Sequence, residues 1–290
     1  MVMTDLPPVQ YRRELMPPAA IQPWLDRPDA LKEIDRRLKK GELDFSQAAE
    51  LRQWHRDGYL VFEGLFDASL AERINADVRA ILEAHRDLPI DQLKRKFENA
   101  YHESEATREA VCLAPLLPKL DLLLGSEARP HQTLNLPYSS QQATHSDEIL
   151  FTTHPPGYMV AAWFALEDIT PDSGPLKFYP GSHRLPYVGS REIDIPLGAS
   201  EEEAGRLYDE RYYDRIAEVV ETHGLEPQAF LGKAGDVLVW HSNLLHGAHF
   251  TTRAEATRQS LIVHYFAEGV LIYSDLWQRA CEDPGLRRTG

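Results

Sequence analysis

Between residues 132 and 266 the chain carries five short runs rich in β-branched and aromatic residues, at 132–136, 159–166, 176–179, 237–240 and 260–266, with glycine and proline in the gaps. Such runs read as strands, and most intervals between them show no helical periodicity. A parallel sheet needs a helix to cross from each strand to the next. This pattern therefore argues against a doubly wound fold and points to a sandwich or a barrel. The exception is residues 201–221, charged and helical in pattern, which predict an insertion at about 198–222. An insertion of that size on the rim of a β-structure commonly serves as a lid or binding loop.

The N-terminal part is of another kind. Residues 1–28 hold six prolines and predict an arm laid over the body rather than an element of the core. In 29–56 the spacing of Leu31, Ile34, Leu38, Ala48, Leu51 and Trp54 predicts two helices broken at Gly41, the second capped by Ser46. A short strand at 59–62 and a strong helix at 69–85 follow, and a polar, proline-punctuated stretch, 87–130, separates them from the β-rich part. The expected organisation is an N-terminal arm with helices packed on the core over 1–50, and the β-domain with its insertion over 51–290.

Composition narrows the partners. Hydrophobic residues make up 43% of 290, enough for one substantial core, and the formal net charge of -14 repels phosphate backbones and anionic membranes. The longest apolar run, 158–166, is too short to span a bilayer, and residues 1–18 carry prolines and charges where an export signal has its apolar core. Cys112 and Cys281 lack ligand spacing and suggest no disulfide framework. A soluble protein of the reducing cytoplasm is expected, with a small molecule as its partner and neither nucleic acid nor membrane. The sequence leaves the oligomeric state open.

The chemistry starts at THSDE, residues 144–148. On an extended segment positions i and i+2 share a face, so His145 and Asp147 can converge while Ser146 turns away. A surface turn would account for the same letters, so a third donor is needed. GDVLVWHSNLLHGAHF, residues 235–250, offers His241, His246 and His249. Gly247 permits close approach beside His246, and Leu244 and Leu245 would anchor it. Two imidazoles and one carboxylate on one side of a cation leave the opposite positions free, the facial arrangement of non-haem Fe(II) oxygenases. A structural zinc site would instead close a fourfold shell, usually with thiolates.

Four blocks in order, HSD (145–147), AAWFALEDITPDSGPLKFYPGSH (161–183), GDVLVWHSNLLHGA (235–248) and RQSLIVHY (258–265), resemble the phytanoyl-CoA dioxygenase family. That family is the branch of Fe(II)/2-oxoglutarate oxygenases that includes ectoine hydroxylase. The likeness covers roughly residues 50–270. It implies a mainly β fold with flanking helices, a double-stranded β-helix or jelly roll. It also implies Fe(II) on His145, Asp147 and His246 rather than on His241 or His249, with 2-oxoglutarate and O2 as cosubstrates.

The family holds the distal carboxylate of 2-oxoglutarate with an arginine eleven or twelve residues after the last metal histidine. Arg258 stands 12 beyond His246 (258 − 246), and its planar fork suits a bidentate contact. Arg253, in a turn-like context, is the weaker candidate. Relatives often carry serine where this chain has Ala248, so Ser260, Thr257 and Asn135 are the further cosubstrate candidates by position. Related halogenases lack the carboxylate ligand. Asp147 therefore favours hydroxylation, or a related desaturation or ring closure, of an unactivated C–H bond, with release of succinate and CO2.

Tyr138, Gln141, Gln142 and Phe151 near the first ligands, and Arg184 and Tyr187 after PGSH, are the expected substrate lining. One of Trp163 and Phe164 should face the barrel. His183 reads as part of a structural turn, and His55, His85, His102 and His223 as surface residues. Two readings without this turnover stand beside it: an inactive jelly-roll scaffold, and a cupin-type enzyme that uses a metal without 2-oxoglutarate. Neither requires an arginine at the spacing of Arg258. No sequence feature selects the substrate.

Overall fold

In the computed structural model, residues 11–19, 21–84, 96–253, 255–282, 286 and 288 are described. Their strands are β1 (Tyr59–Phe62), β2 (Phe97–Glu98), β3 (Ala128–Leu136), β4 (Thr152–His154), β5 (Met159–Ala165), β6 (Leu176–Phe178), β7 (Gln228–Ala229), β8 (Val237–His241), β9 (His246–Ala248), β10 (Ser260–Ala267), β11 (Leu271–Ser274) and β12 (Arg279–Ala280). A six-stranded sheet has the order β1-β8-β5-β10-β3-β2, and two three-stranded sheets have the orders β12-β11-β4 and β7-β6-β9. All pairings are antiparallel.

Alternation along β5 sets the layers. Val160, Ala162 and Phe164 join Val237, Val239, Leu261 and Val263 in a core shared with the N-terminal helices. Met159, Ala161, Trp163 and Ala165 point the other way, with Leu238, Trp240 and Phe266, toward Leu176 and Phe178 of β6. Both faces of β5 are covered, so every residue in it is buried and the strand reads as an unbroken apolar run. The small sheets close over the inner face, which makes a jelly roll with its helices packed outside.

Those helices are Ala30–Lys39, Phe45–Asp57, Ala68–Ala84, Glu105–Val111 and Leu117–Leu124. The second opens on Asp44 rather than Ser46: the Asp44 carboxylate accepts from Gln47 N–H while the Gln47 side chain accepts from Asp44 N–H, a reciprocal cap. The described part of the polar stretch 87–130, residues 96–130, holds β2, the helices Glu105–Val111 and Leu117–Leu124, and the start of β3. Helix Glu105–Val111 buries Ala106, Thr107, Ala110 and Val111, and such small side chains leave little periodic signal. The arm is also more than a cover. Trp24 and Leu25 enter the helical core, and buried Arg12 donates to Ile195 O at 2.8 Å. The expectations for residues 1–10 and 85–95, His85 among them, lie outside the described residues.

The insertion is the helix Glu201–Thr222, capped by the Ser200 hydroxyl. Its buried face, including Leu207, Tyr208 and Tyr212, packs with Ile149, Tyr179 and Leu245. It therefore supports the outer side of the two segments that carry the histidine and aspartate motifs.

Candidate metal centre and its cavity

The two distant motifs meet through their backbones. His145 N–H donates to His246 O at 2.8 Å and His246 N–H to His145 O at 2.9 Å, which sets the two imidazoles side by side with ring centroids 4.3 Å apart. Gly247 is needed there, because a Cβ would stand 2.9 Å from Gln142 O and 3.0 Å from Ala143 O. Ser146 is extended, so His145 and Asp147 share a side as the spacing predicts, but a 3-10 turn, Asp147–Ile149, follows in place of a strand. Strand structure resumes only at β4.

The ring nitrogens are assigned by their partners. Nδ1 of His145 lies 2.9 Å from Ala143 O and Nδ1 of His246 lies 2.9 Å from Leu244 O. A carbonyl only accepts, so each Nδ1 carries the hydrogen and each Nε2 keeps its lone pair. Asp147 Oδ1 is 3.6 Å from His145 Nε2 and 3.5 Å from His246 Nε2, and donor atoms of all three residues lie within 4.8 Å of one another. Burial alone would raise the pKa of Asp147, but His246, His145 and His264 outweigh it and hold the carboxyl well below the usual range. Burial and the neighbouring His246 lower His145, whereas His246 is raised because Asp147 overcomes the opposing effect of burial. Such an ionised, convergent N,N,O set fits a divalent cation.

The triad opens on a cavity of about 1110 Å³ that Arg258 also lines. Arg258 is 1% exposed, and among the described residues it has no carboxylate partner; Nη1 donates to Gly174 O at 3.1 Å and Nε to nothing. Burial lowers its pKa to about 10. An uncompensated buried guanidinium costs several kcal/mol, a cost that an anionic ligand would offset. Ser260 Oγ, His264 Nδ1 and Trp163 Nε1 are likewise buried without partners. These residues fit a dicarboxylate lying between the triad and Arg258.

The other expected residues divide. Ser260 pairs with Leu136 and Ala165 and shares the inner face of β10 with Ile262 and His264. Asn135 pairs with Leu261 on the opposite face, toward the helices, so it does not reach the cavity. Thr257 turns outward to Glu167 Oε2 at 2.8 Å, and Arg253 forms a surface ion pair with Asp172 at 2.7 Å. Gln141, Gln142 and Phe151 line the cavity; Tyr138 is exposed outside it, and Arg184 and Tyr187 line a different one. Trp163 rather than Phe164 faces inward. His55 is half-buried, with Nδ1 bonded to Leu25 O, while His102 and His223 are exposed.

Two further residues touch Asp147: His264, which alternation along 258–266 predicts on the barrel-lining face, and Trp240, which sequence reasoning missed. Trp240 donates its indole N–H to Oδ2 at 2.9 Å, and His264 Nε2 stands 3.7 Å from the same oxygen. The signal was present in the alternation of β8, which places Trp240 with Leu238 on the inner face.

Comparison with known proteins agrees with this geometry. Residues 54–259 match the family model of phytanoyl-CoA dioxygenase (PhyH). The ectoine dioxygenase of Sphingopyxis alaskensis is 27% identical over 224 residues, 70% of each chain. Among solved structures, EctD from S. alaskensis with 2-oxoglutarate and 5-hydroxyectoine superposes with a TM-score of 0.63 at 22% identity, covering 99% of this chain and 98% of that one. The non-heme alpha-ketoglutarate-dependent carbocyclase SnoK of nogalamycin biosynthesis gives 0.61 at 19% identity, covering 80% and 88%. The jelly roll and its His-Asp-His face define an Fe(II)- and 2-oxoglutarate-dependent dioxygenase. The chain belongs to the phytanoyl-CoA dioxygenase family.

Proposed function

We propose that the protein oxidises an unactivated C–H bond of an uncharged, ring-containing small molecule, by hydroxylation, with release of succinate and CO2. The observation that carries this reading is the unpaired, buried guanidinium of Arg258 in the same cavity as His145, Asp147 and His246. In this reading His145 Nε2, His246 Nε2 and Asp147 Oδ1 hold Fe(II), which when bound supplies the activation of O2 at the expense of 2-oxoglutarate. Arg258 takes the distal carboxylate with its planar fork; Ser260, on the same face of β10 but not in the cavity lining, stands behind it. Phe151, whose ring centroid is 4.8 Å from that of His264, packs over the inner face and helps exclude water.

The substrate class follows from size and charge. A volume of about 1110 Å³ exceeds the usual range for small-molecule pockets, about 300–1000 Å³, and leaves room beside a dicarboxylate. Apart from Arg258, the basic residues of the lining are already paired, Lys96 with Glu98 at 2.8 Å and Arg279 with Glu201, which disfavours an acyl-CoA phosphate. Trp277 and Tyr213 offer flat faces, and Gln132, Gln141 and Gln142 offer amides, which together suit rings bearing hydroxyl or carbonyl groups. Among the described residues neither Cys112 nor Cys281 forms a disulfide and no helix is long and apolar enough to cross a membrane; a cytoplasmic enzyme is part of the same reading.

Anaerobic titration with Fe(II) and then 2-oxoglutarate tests the metal and cosubstrate assignment. The expected result is a weak visible charge-transfer band, and its absence in well-folded protein overturns the reading. A screen for substrate-stimulated succinate release then tests the substrate class. Neutral ring compounds should stimulate it; stimulation by acyl thioesters alone would reject the class and leave the reaction type standing.

A further inference from the structure

The two oxygens of Asp147 have different surroundings. Oδ1 faces the Nε2 atoms of His145 and His246, at 3.6 and 3.5 Å. Oδ2 accepts the indole N–H of Trp240 at 2.9 Å, with His264 Nε2 a further 3.7 Å contact. Trp240 is 1% exposed, and its ring centroid also lies 4.6 Å from that of His246. It is fixed by the register of β8, opposite Ala161 of β5 and Tyr59 of β1, so its position does not depend on the loop that carries Asp147.

We propose that Trp240 is a positioning residue that keeps Asp147 a one-oxygen ligand and holds the His246 ring at its angle. This rests on the metal assignment above. A carboxylate can bind a cation through one oxygen or two, and the choice decides how many positions remain. Two imidazoles and one oxygen leave three of six: two for a chelating 2-oxo acid and one for O2. If Oδ2 also bound, one of those would be lost. An N–H donor aimed at Oδ2 saturates the lone pair that would otherwise turn to the metal, and such outer partners of metal ligands commonly govern affinity. The same indole packs against one imidazole, so a single rigid side chain restrains two of the three ligands.

The test uses the full chain in metal-free form, titrated with Co(II) alone and followed by its visible d–d absorption. Two replacements are compared with the unmodified protein: Trp240→Phe, and 3-benzothienylalanine at position 240, which keeps the size of the indole but puts sulfur where the N–H was. Both should lower Co(II) affinity about 10- to 100-fold. Both should also shift the d–d bands, because a second carboxylate oxygen would replace a solvent ligand. Thermal melting of the metal-free benzothienyl protein should match that of the unmodified one. If the benzothienyl protein keeps the original affinity and spectrum, the indole only fills space and the proposal is overturned, whatever Trp240→Phe does to folding. If the unmodified protein binds no Co(II), the triad assignment fails and this inference falls with it.

Discussion

Among the described residues, two clusters of imidazole and carboxylate behave in opposite ways, the first wholly buried and the second joining two buried histidines to the exposed Asp26. His145, Asp147 and His246 turn their donor atoms toward one point on the wall of a large cavity. Asp26, His183 and His241 line a separate cavity of about 500 Å³, where His241 turns its ring nitrogens to Asp26 and the backbone while His183 Nδ1 has no hydrogen-bond partner. His241 Nε2 is 3.3 Å from Asp26 Oδ2, its Nδ1 accepts from Asn243 N–H at 3.0 Å, and its ring centroid is 5.4 Å from that of His183. Composition is nearly the same in both. What differs is that both ring nitrogens of His241 are engaged while each Nε2 of the triad faces the shared point, and this separates a site from a structural joint. The joint has its own use, since it ties the N-terminal segment carrying Asp26 to the end of β8.

Breaking the first cluster should have the largest effect. Asp147→Ala is expected to lower substrate-linked succinate formation by at least about 100-fold with an unchanged far-ultraviolet circular dichroism spectrum. Undiminished activity would mean the iron is misplaced. Next comes Arg258→Met, which should raise the KM for 2-oxoglutarate by roughly 100-fold, about 2.8 kcal/mol, the scale of lost charge-assisted hydrogen bonds. The same variant should stabilise the cosubstrate-free protein by about 1–2 kcal/mol in urea titration, because it removes an unpaired buried charge. A normal KM in this variant would shift the anchor to another cation.

The second cluster should respond in stability and not in turnover. Asp26→Asn and His241→Gln are each expected to destabilise by about 1–2 kcal/mol with kcat retained, and a double-mutant cycle should show a coupling of about 1 kcal/mol. Co(II) affinity lost in His241→Gln would show that the clusters are not separate. Burial lowers the pKa of His183 to about 3, from an ordinary 6.5. The unfolded chain therefore binds the extra proton first, and stability should fall as pH drops from about 6.5 toward about 3. His183→Asn should flatten that slope in chemical denaturation at several pH values, and an unaltered slope would show that His183 is not the responsible group.

The smallest effect is expected at the wall between the clusters. Arg13, from the N-terminal arm, pairs with Glu148 at 2.7 Å and lies 4.1 Å over the Tyr187 ring. Its burial is partial, so Arg13→Ala should cost about 1 kcal/mol in stability and leave metal affinity unchanged. A fall in metal affinity comparable to that of Asp147→Ala would make the arm part of the metal centre.

Legibility followed the reach of each signal. The strands of four or more residues in the large sheet were readable because alternation or an apolar run persists over their length; β4, β7, β9 and β12, of two or three residues, are too short to show either. Arg258 was found by its distance from His246, which a chain motif preserves. Asn135 was a matter of parity: one step along β3 separates the cavity-lining Leu134 and Leu136 from a residue that faces the helices. Trp240 was missed because a buried indole reads as core. Arg184 and Tyr187 were placed by nearness in sequence to PGSH, and the chain there turns toward the second cavity instead.

By itself the sequence determined the barrel, the residue types of the metal face and the arginine that stands alone beside it, since each is written in local order or in fixed spacing. Which oxygen of Asp147 faces the two Nε2 atoms, and which of two similar clusters turns its donors into the large cavity, were decided only when the strands paired. The reason is that a side chain's direction depends on the register and face of its strand, and those are set by partners a hundred residues away.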